Sequence, residues 1–356
     1  MKKKSKKKVL LGAVLVLAMG LTACGGSENS GNAEVTEENS GAAESAQTEE
    51  TDKVVRIGAV TQGNMLNATG GIAQEKGFLE EELEKAGYKL EVKGFAQAGP
   101  AINEAFGAGE LDMAIYGDLP ATVCKSNGID TTIFAVNDSK MQMCILAANG
   151  SDIKSAKDFK GHKVIVGRGT IYHQCFKSLI ADAGIAEEDV EQINTVSDAN
   201  SVIASGEADA LVTASSIGYY LEAQGIGTVV ETTADHPEWT SQFFAVGKTD
   251  YLKENPEAAK AVIRALKRAY EFSKDNLDEV AEISASLTDG YTADVFEKVY
   301  DFDPSFEHFN PEITEESKTK LKALEQFLED EELISNPVDI DQFVDTSYYE
   351  AVINEE

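Results

Sequence analysis

A short text in the first half of this chain returns at a fixed distance in the second. Ala86-Gly87 is matched by Ala183-Gly184, and Gly109-Glu110-Leu111-Asp112 by Gly206-Glu207-Ala208-Asp209, both 97 residues further on. Solenoid repeats run to about 20–50 residues, so this offset is too long for one. It fits two similar lobes written into one chain. The residues around the echo say what kind of lobe. Val54–Ile57, Leu90–Val92 and Asp112–Ile115 are short β-rich runs, and Gly77–Ala86 and Pro100–Phe106 between them have helical spacing. Strands separated by helices require crossovers and a mostly parallel sheet. The second copy repeats this grammar. Val164–Val166 reads as a strand, and the helix from Thr170 to Ala183 carries Phe176, Leu179, Ile180 and Ala183 on one face before Gly184 stops it. The fold class is α/β, in two lobes.

Ligands of open α/β sheets bind beyond the carboxyl ends of the strands. The echo makes Asp112–Ile115 and Asp209–Val212 equivalent, so Gly117 and Asp118 from one lobe, and Thr213 to Ser215 from the other, are expected to line a crevice. Gly167-Arg168-Gly169-Thr170 follows a strand and opens a helix, where free N–H groups and the helix dipole favour an anion. It lacks the Lys-Ser/Thr ending of a phosphate-binding P-loop. Thr170 also suits the N-cap, and Asp118 the N-cap of the helix that Pro120 begins. Tyr172 and His173 lie one turn further in, with His173 either a hydrogen-bond donor near the cleft mouth or a satisfied surface histidine, and Arg168 either an added charge for the anion or, more commonly, solvated.

The chain holds 62 acidic against 31 basic residues, a formal charge of −31 over 356 residues. Such a surface repels a phosphate backbone, which excludes nucleic acid as a partner. Six of the lysines crowd into Met1–Lys8, and Val9–Ala23 then runs without a charge. A basic start, a short apolar run and a small-residue site are the parts of a signal peptide. Leu21-Thr22-Ala23-Cys24 resembles the bacterial lipobox, which implies lipidation of Cys24 and loss of residues 1–23. The formal charge would then move to −37. Residues 24–52 contain eight acidic side chains, no basic one and little to bury, which predicts a solvated tether. Of the other cysteines, Cys124 and Cys144 are the candidate disulfide pair, while inert buried thiols for Cys124, Cys144 and Cys175 are the plainer alternative.

The folded part divides into a first lobe over 53–148, a second over 149–235, and a return with C-terminal helices over 236–356. Crossings are expected near Ala147–Ser151 and Glu231–Ser241. Phe243–Val246 reads as a strand rejoining the first lobe, Pro256 opens a long helix with Val262, Ile263, Leu266 and Tyr270 inward, and the remaining acidic helices should cover the first lobe's edges. Trp239 is assigned to hinge packing, and Glu80-Glu81-Glu82 to a solvated face. Gly-x-Ser-x-Gly, His-Glu-x-x-His and a positioned Cys–His pair are missing, so the chain reads as a binding protein and not an enzyme, with no cofactor and no metal.

Several of these segments resemble one family. Gly99-Pro100, Glu104-Ala105-Phe106, Gly109-Glu110-Leu111-Asp112 and Gly117-Asp118-Leu119-Pro120 are similar to the first lobe of aliphatic-sulfonate-binding proteins, of the nitrate/sulfonate/taurine group of ABC importers. Ser151-Asp152-Ile153-Lys154 through Asp158 to Val164 resembles their entry into the second lobe, and Pro337-Val338-Asp339-Ile340 their ending. Gly169-Thr170 with His173 resembles a sulfonate-binding segment, and Thr61-Gln62-Gly63 loosely resembles a first-lobe binding loop. The resemblance spans Val54 to Asp345. It implies a type II periplasmic-binding-protein-like fold with the ligand cleft between lobes, and a lipid-anchored, extracytoplasmic monomer that delivers a solute to an ABC permease and its ATPase. Where the family often has Trp-Asp-Pro-Tyr, this chain has Ala214-Ser215-Ser216-Ile217, which removes a large apolar wall. A sulfonate, taurine or nitrate is the implied solute, and a thiamine-precursor pyrimidine the alternative.

Overall fold

The computed structural model of the chain describes residues 53–61, 63–236 and 239–355. The readings made for the signal peptide, Cys24, the tether and Gln62 fall outside them.

Among the described residues, ten strands form two sheets that copy one another. The first contains β1 (Lys53–Ala59), β2 (Tyr88–Gly94), β3 (Met113–Gly117), β4 (Thr131–Met141) and β10 (Ser241–Lys248), in the order β2-β1-β3-β10-β4. The second contains β5 (Met143–Ala148), β6 (Lys163–Ile165), β7 (Glu191–Ile193), β8 (Ala210–Ala214) and β9 (Gly227–Thr232), in the order β7-β6-β8-β5-β9. In each, three strands run parallel and the fourth pairs antiparallel with the third: β10 with β3, β5 with β8. Two crossings therefore join the lobes, one from β4 to β5 and one from β9 to β10.

Fourteen helices accompany them among the described residues. In the first lobe are α1 (Ala68–Glu75), α2 (Phe78–Lys85), α3 (Gly99–Gly107) and α4 (Asp118–Ser126), and in the second α5 (Ile171–Ala183), α6 (Ala199–Ser205) and α7 (Ser215–Ala223). The C-terminal part holds α8 (Thr249–Glu254), α9 (Pro256–Lys274), α10 (Leu277–Ser286), α11 (Ala293–Tyr300), α12 (Glu315–Asp330), α13 (Ile340–Phe343) and α14 (Ser347–Ile353).

The echo carries the symmetry closely. β3 and β8 begin and end 97 residues apart, and so do α4 and α7. Gly109 and Gly206 both take positive φ, 72° and 76°, which a side chain would strain. Their partner aspartates do the same job in each lobe. Asp112 accepts from the Arg56 N–H at 2.9 Å and Asp209 from the Lys163 N–H at 2.8 Å, fastening the start of one strand to its neighbour. The repeated text is structural punctuation at the strands' amino ends, and the site lies at the opposite ends.

Three expectations change. The first crossing comes earlier than Ala147–Ser151, because Met143–Ala148 pairs with β8 and β9 in the second sheet, leaving Gln142 between the two sheets. The Glu80-Glu81-Glu82 run is not wholly solvated: Glu82 is buried and accepts from Arg268 at 2.6 Å and Arg264 at 3.2 Å, tying α2 to α9. The C-terminal helices also do more than cover first-lobe edges. α9 buries Val262, Ile263, Leu266 and Tyr270 against α1 and α2, but α11 packs on α7 of the second lobe. Cys124, Cys144 and Cys175 are free and buried, and burial pushes the first two thiols up to about 11 and about 12. Trp239 is packed in the second crossing with its ring stacked on His236 at 3.7 Å.

Candidate functional site

A cleft of about 830 Å³ lies between the lobes, within the range of about 300–1,000 Å³ usual for small-molecule sites. It is built from the carboxyl ends of strands, as open α/β sheets require. Val60 and Thr61 follow β1, Phe95 follows β2, Thr195 and Val196 follow β7, and Thr213, Ala214 and Ser216 end β8 and begin α7. Gly167, beyond β6, adds its backbone.

The first-lobe wall is held in unusual backbone. Ala68 and Ala98 have φ of +48° and +58°, and both line the cleft at the starts of α1 and α3. Such conformations cost on the order of 1–3 kcal/mol each and persist only where surroundings enforce them. The enforcing contact for α1 is visible: buried Asn137 on β4 accepts from the Gly70 N–H at 2.7 Å, and its carbonyl accepts from the Thr69 hydroxyl at 2.6 Å.

The predicted residues divide. Thr61, Gly63, Tyr172 and Thr213 line the cleft. Burial pushes the Tyr172 phenol up to about 12, with the Thr213 hydroxyl as its hydrogen-bond neighbour. The other described residues of the expected set are not part of the lining. The Thr170 hydroxyl is committed within its own loop, donating to the Gly167 carbonyl at 2.7 Å and accepting from the Tyr172 N–H at 3.1 Å. It fixes two cleft residues rather than offering a free hydroxyl. Gly117 and Gly169 stand where the lobes meet: a methyl group added at Gly117 would lie 2.5 Å from Ile171 Cγ2, and one at Gly169 3.6 Å from Pro100 Cγ. Asp118 is the first residue of α4, not its cap. Its carboxylate accepts from the Leu119 N–H at 2.9 Å and the Gln242 N–H at 3.0 Å, and burial raises it to about 7. Ser215 is buried beneath the wall, and His173 is buried on α5 with its titration lowered by that burial. Arg168 is exposed.

Two sets of cleft residues escaped the sequence reading. Lys140 is the one lysine or arginine in the lining, at the end of β4 beside the first crossing, and no carboxylate pairs with it among the described residues. Beside it is Asp138, whose titration burial raises and whose Oδ1 accepts from the Lys140 N–H at 2.8 Å; Asp138 in turn lies near His308, which Asp303 holds at 2.8 Å through Nδ1. The second set is aromatic and comes from α11 and its flanks: Tyr291, Phe296, Tyr300 and Phe302. No motif announces a lone lysine at a strand end. A polar Asp138-Ser139-Lys140 break within the apolar run 131–148 was the available signal. Among the described residues no group of three His, Cys, Asp or Glu is placed to hold a metal ion, and no helix is long and apolar enough to cross a membrane.

Two pseudo-symmetric α/β lobes, two crossings and a cleft at the strands' carboxyl ends define the periplasmic-binding-protein fold. The chain belongs to the NMT1/THI5-like family, whose model matches residues 68–280. It is 24% identical, over 80% of its length and 84% of the relative's, to a protein of Bacillus subtilis (strain 168) named for aliphatic-sulfonate binding. Among solved structures it is similar to one from Methylobacillus flagellatus KT, named as the periplasmic sulfonate-binding protein SsuA of a sulfonate ABC transporter. That match has 25% identity and a TM-score of 0.71, covering 86% of this chain and 95% of that one. The desulfurization enzyme DszB, crystallised as its C27S mutant with biphenyl-2-sulfinic acid, shares the fold at 16% identity and a TM-score of 0.65, covering 86% of this chain and all of that one. At that identity the likeness concerns the fold alone.

Proposed function

We propose that this protein is the solute-binding component of an ABC importer, and that its cleft takes a small organic anion of the sulfonate class. Lys140 carries the reading. In a chain with twice as many acids as bases, most cations are spent on ion pairs, yet the one lining the cleft has no carboxylate partner among the described residues. The long-range field of so acidic a protein repels anions, but beyond about 8 Å it is screened at physiological salt. Selection therefore rests on short-range donors of the cleft lining: Lys140, Thr213, Ser216 and the loops at Thr61 and Gly167. The sulfonate-binding names of its relatives support the same class. Taurine is a small member of that class, and nitrate is a smaller inorganic anion that the same donors would suit. Lipidation at Cys24 would tether the protein outside the cytoplasm, beside a permease and its ATPase, as a monomer. The binding-protein names of its relatives support a carrier and not a catalyst.

Replacing Lys140 by Gln removes one charge-assisted hydrogen bond of about 1.5–3 kcal/mol, so sulfonate affinity should fall about 10- to 150-fold in calorimetric titration. Unchanged affinity would end the assignment. Cys24→Ala should release the protein from membrane fractions, and full retention would contradict the tether. A pyrimidine of the thiamine-precursor type is the second reading, favoured by the aromatic wall and by the buried Asp138 carboxyl, which suits an amino group. It predicts binding of a neutral aminopyrimidine that is indifferent to Lys140→Gln.

A further inference from the structure

The rings that border the cleft form one continuous row. Tyr220 of α7 stacks on Tyr291 with centroids 4.5 Å apart and planes 12° apart. Tyr291 neighbours Phe296 at 5.9 Å, Phe296 neighbours Tyr300 at 5.9 Å, and Tyr300 neighbours the His308 ring at 6.2 Å. All five line the cleft. The row starts on the second lobe, passes along the C-terminal α11 and ends near Asp138, two residues from Lys140 on β4. It supplies a broad aromatic wall beside Ala214-Ser215-Ser216-Ile217, where only Ala214 and Ile217 add apolar surface. Tyr220, Tyr291 and Phe296 are only partly buried, so they still present ring surface to the cavity.

A cleft of about 830 Å³ is also large for the smallest anions. A nitrate or methanesulfonate held at Lys140 would leave most of it, and the whole ring row, facing water. Burying aromatic surface is favourable in proportion to area, and ring–ring contact in offset or edge geometry adds to it. An anion with a planar ring fills both needs at once: head at Lys140, ring along Tyr291 and Phe296.

Resting on the anion reading above, we infer that the solute is an aromatic anion, an arylsulfonate-type molecule, and that Tyr291 and Phe296 set this specificity. A saturated chain of equal size would gain the buried area but not the ring–ring contact, so the discrimination to expect is about 3- to 10-fold.

The test titrates the folded, mature protein with methanesulfonate, cyclohexanesulfonate, benzenesulfonate and naphthalene-2-sulfonate. The expected order is naphthalene over benzene over cyclohexane over methane, with benzene at least 3-fold ahead of cyclohexane. Phe296→Ala and Tyr291→Ala should each shrink the benzene-to-methane affinity ratio about 10-fold, and Phe296→Leu should shrink it less. Circular dichroism and melting of each variant separate loss of specificity from loss of fold. If cyclohexane equals benzene, or the ratio is unmoved in both alanine variants, the aromatic assignment is overturned while the anion site stands. If no sulfonate binds the wild type, the anion reading itself fails.

Discussion

Gly117 offers a way to pull apart the lobes' meeting from the stability of either lobe. Its φ of −66° and ψ of 153° are open to any residue, so alanine brings no backbone strain. A Cβ there meets Ile171 Cγ2 of the other lobe at 2.5 Å, closer than real contacts come. Ile171 is β-branched and buried, so it yields little. Overpacking of this kind costs about 1–3 kcal/mol. On the reading that the solute is bound by hinge closure about the two crossings, the clash exists only while the lobes are together, so the cost falls on the closed, ligand-bound form and spares one with the lobes apart. Affinity should drop about 5- to 150-fold. Stability without ligand should change little or rise by up to about 1 kcal/mol, because alanine restricts the unfolded chain. Titration calorimetry and ligand-free denaturant unfolding on the same variant read the two effects separately. Unchanged affinity, or a stability loss as large as the affinity loss, would refute the idea that Gly117 is small so the lobes can meet.

Other perturbations follow from the same geometry. Thr170→Ala should cost about 0.5–2 kcal/mol of stability as a lost cap, and should weaken binding only through the slackened Gly167–Tyr172 segment, which titration beside unfolding would show. Burial raises Asp118 to about 7 from the ordinary carboxylate range near 4, so the folded state binds a proton that the unfolded state has released. Its contribution is present in full below about pH 4 and is lost as pH rises through about 7. Asp118→Asn should flatten that part of the melting-temperature profile, and a pH-independent difference between the two proteins would contradict it.

The lobes were legible because their boundaries are marked by residues whose backbone chemistry admits few alternatives. The Gly–Asp text at 109–112 and 206–209 fixes a positive-φ turn and a strand clamp, and the strands and helices that follow repeat to the residue. The first crossing was misplaced because Thr131 to Ala148 is a nearly unbroken β-rich run, and only Gln142 separates two strands that belong to different sheets. The site was half legible for a related reason. Strand ends locate Thr61, Gly63 and Thr213, but whether a hydroxyl such as that of Thr170 faces the cavity or its own loop is decided by packing. Lys140 comes from a stretch of the first lobe to which the sequence assigned no element, and the ring row from segments read as acidic edge helices. Nothing local in Tyr291 or Phe296 tells a core face from a cavity wall, since both need the same apolar spacing.

The central claim is that the cleft selects a negative charge by short-range donors. It is tested most directly by titrating the mature protein with benzenesulfonate and with its neutral isostere benzenesulfonamide at physiological salt. The account predicts saturable binding of the sulfonate and an affinity for the sulfonamide at least about 10-fold weaker, the loss expected when a charge-assisted contact becomes a neutral one. Equal affinity for the two, or preference for the sulfonamide, would contradict it.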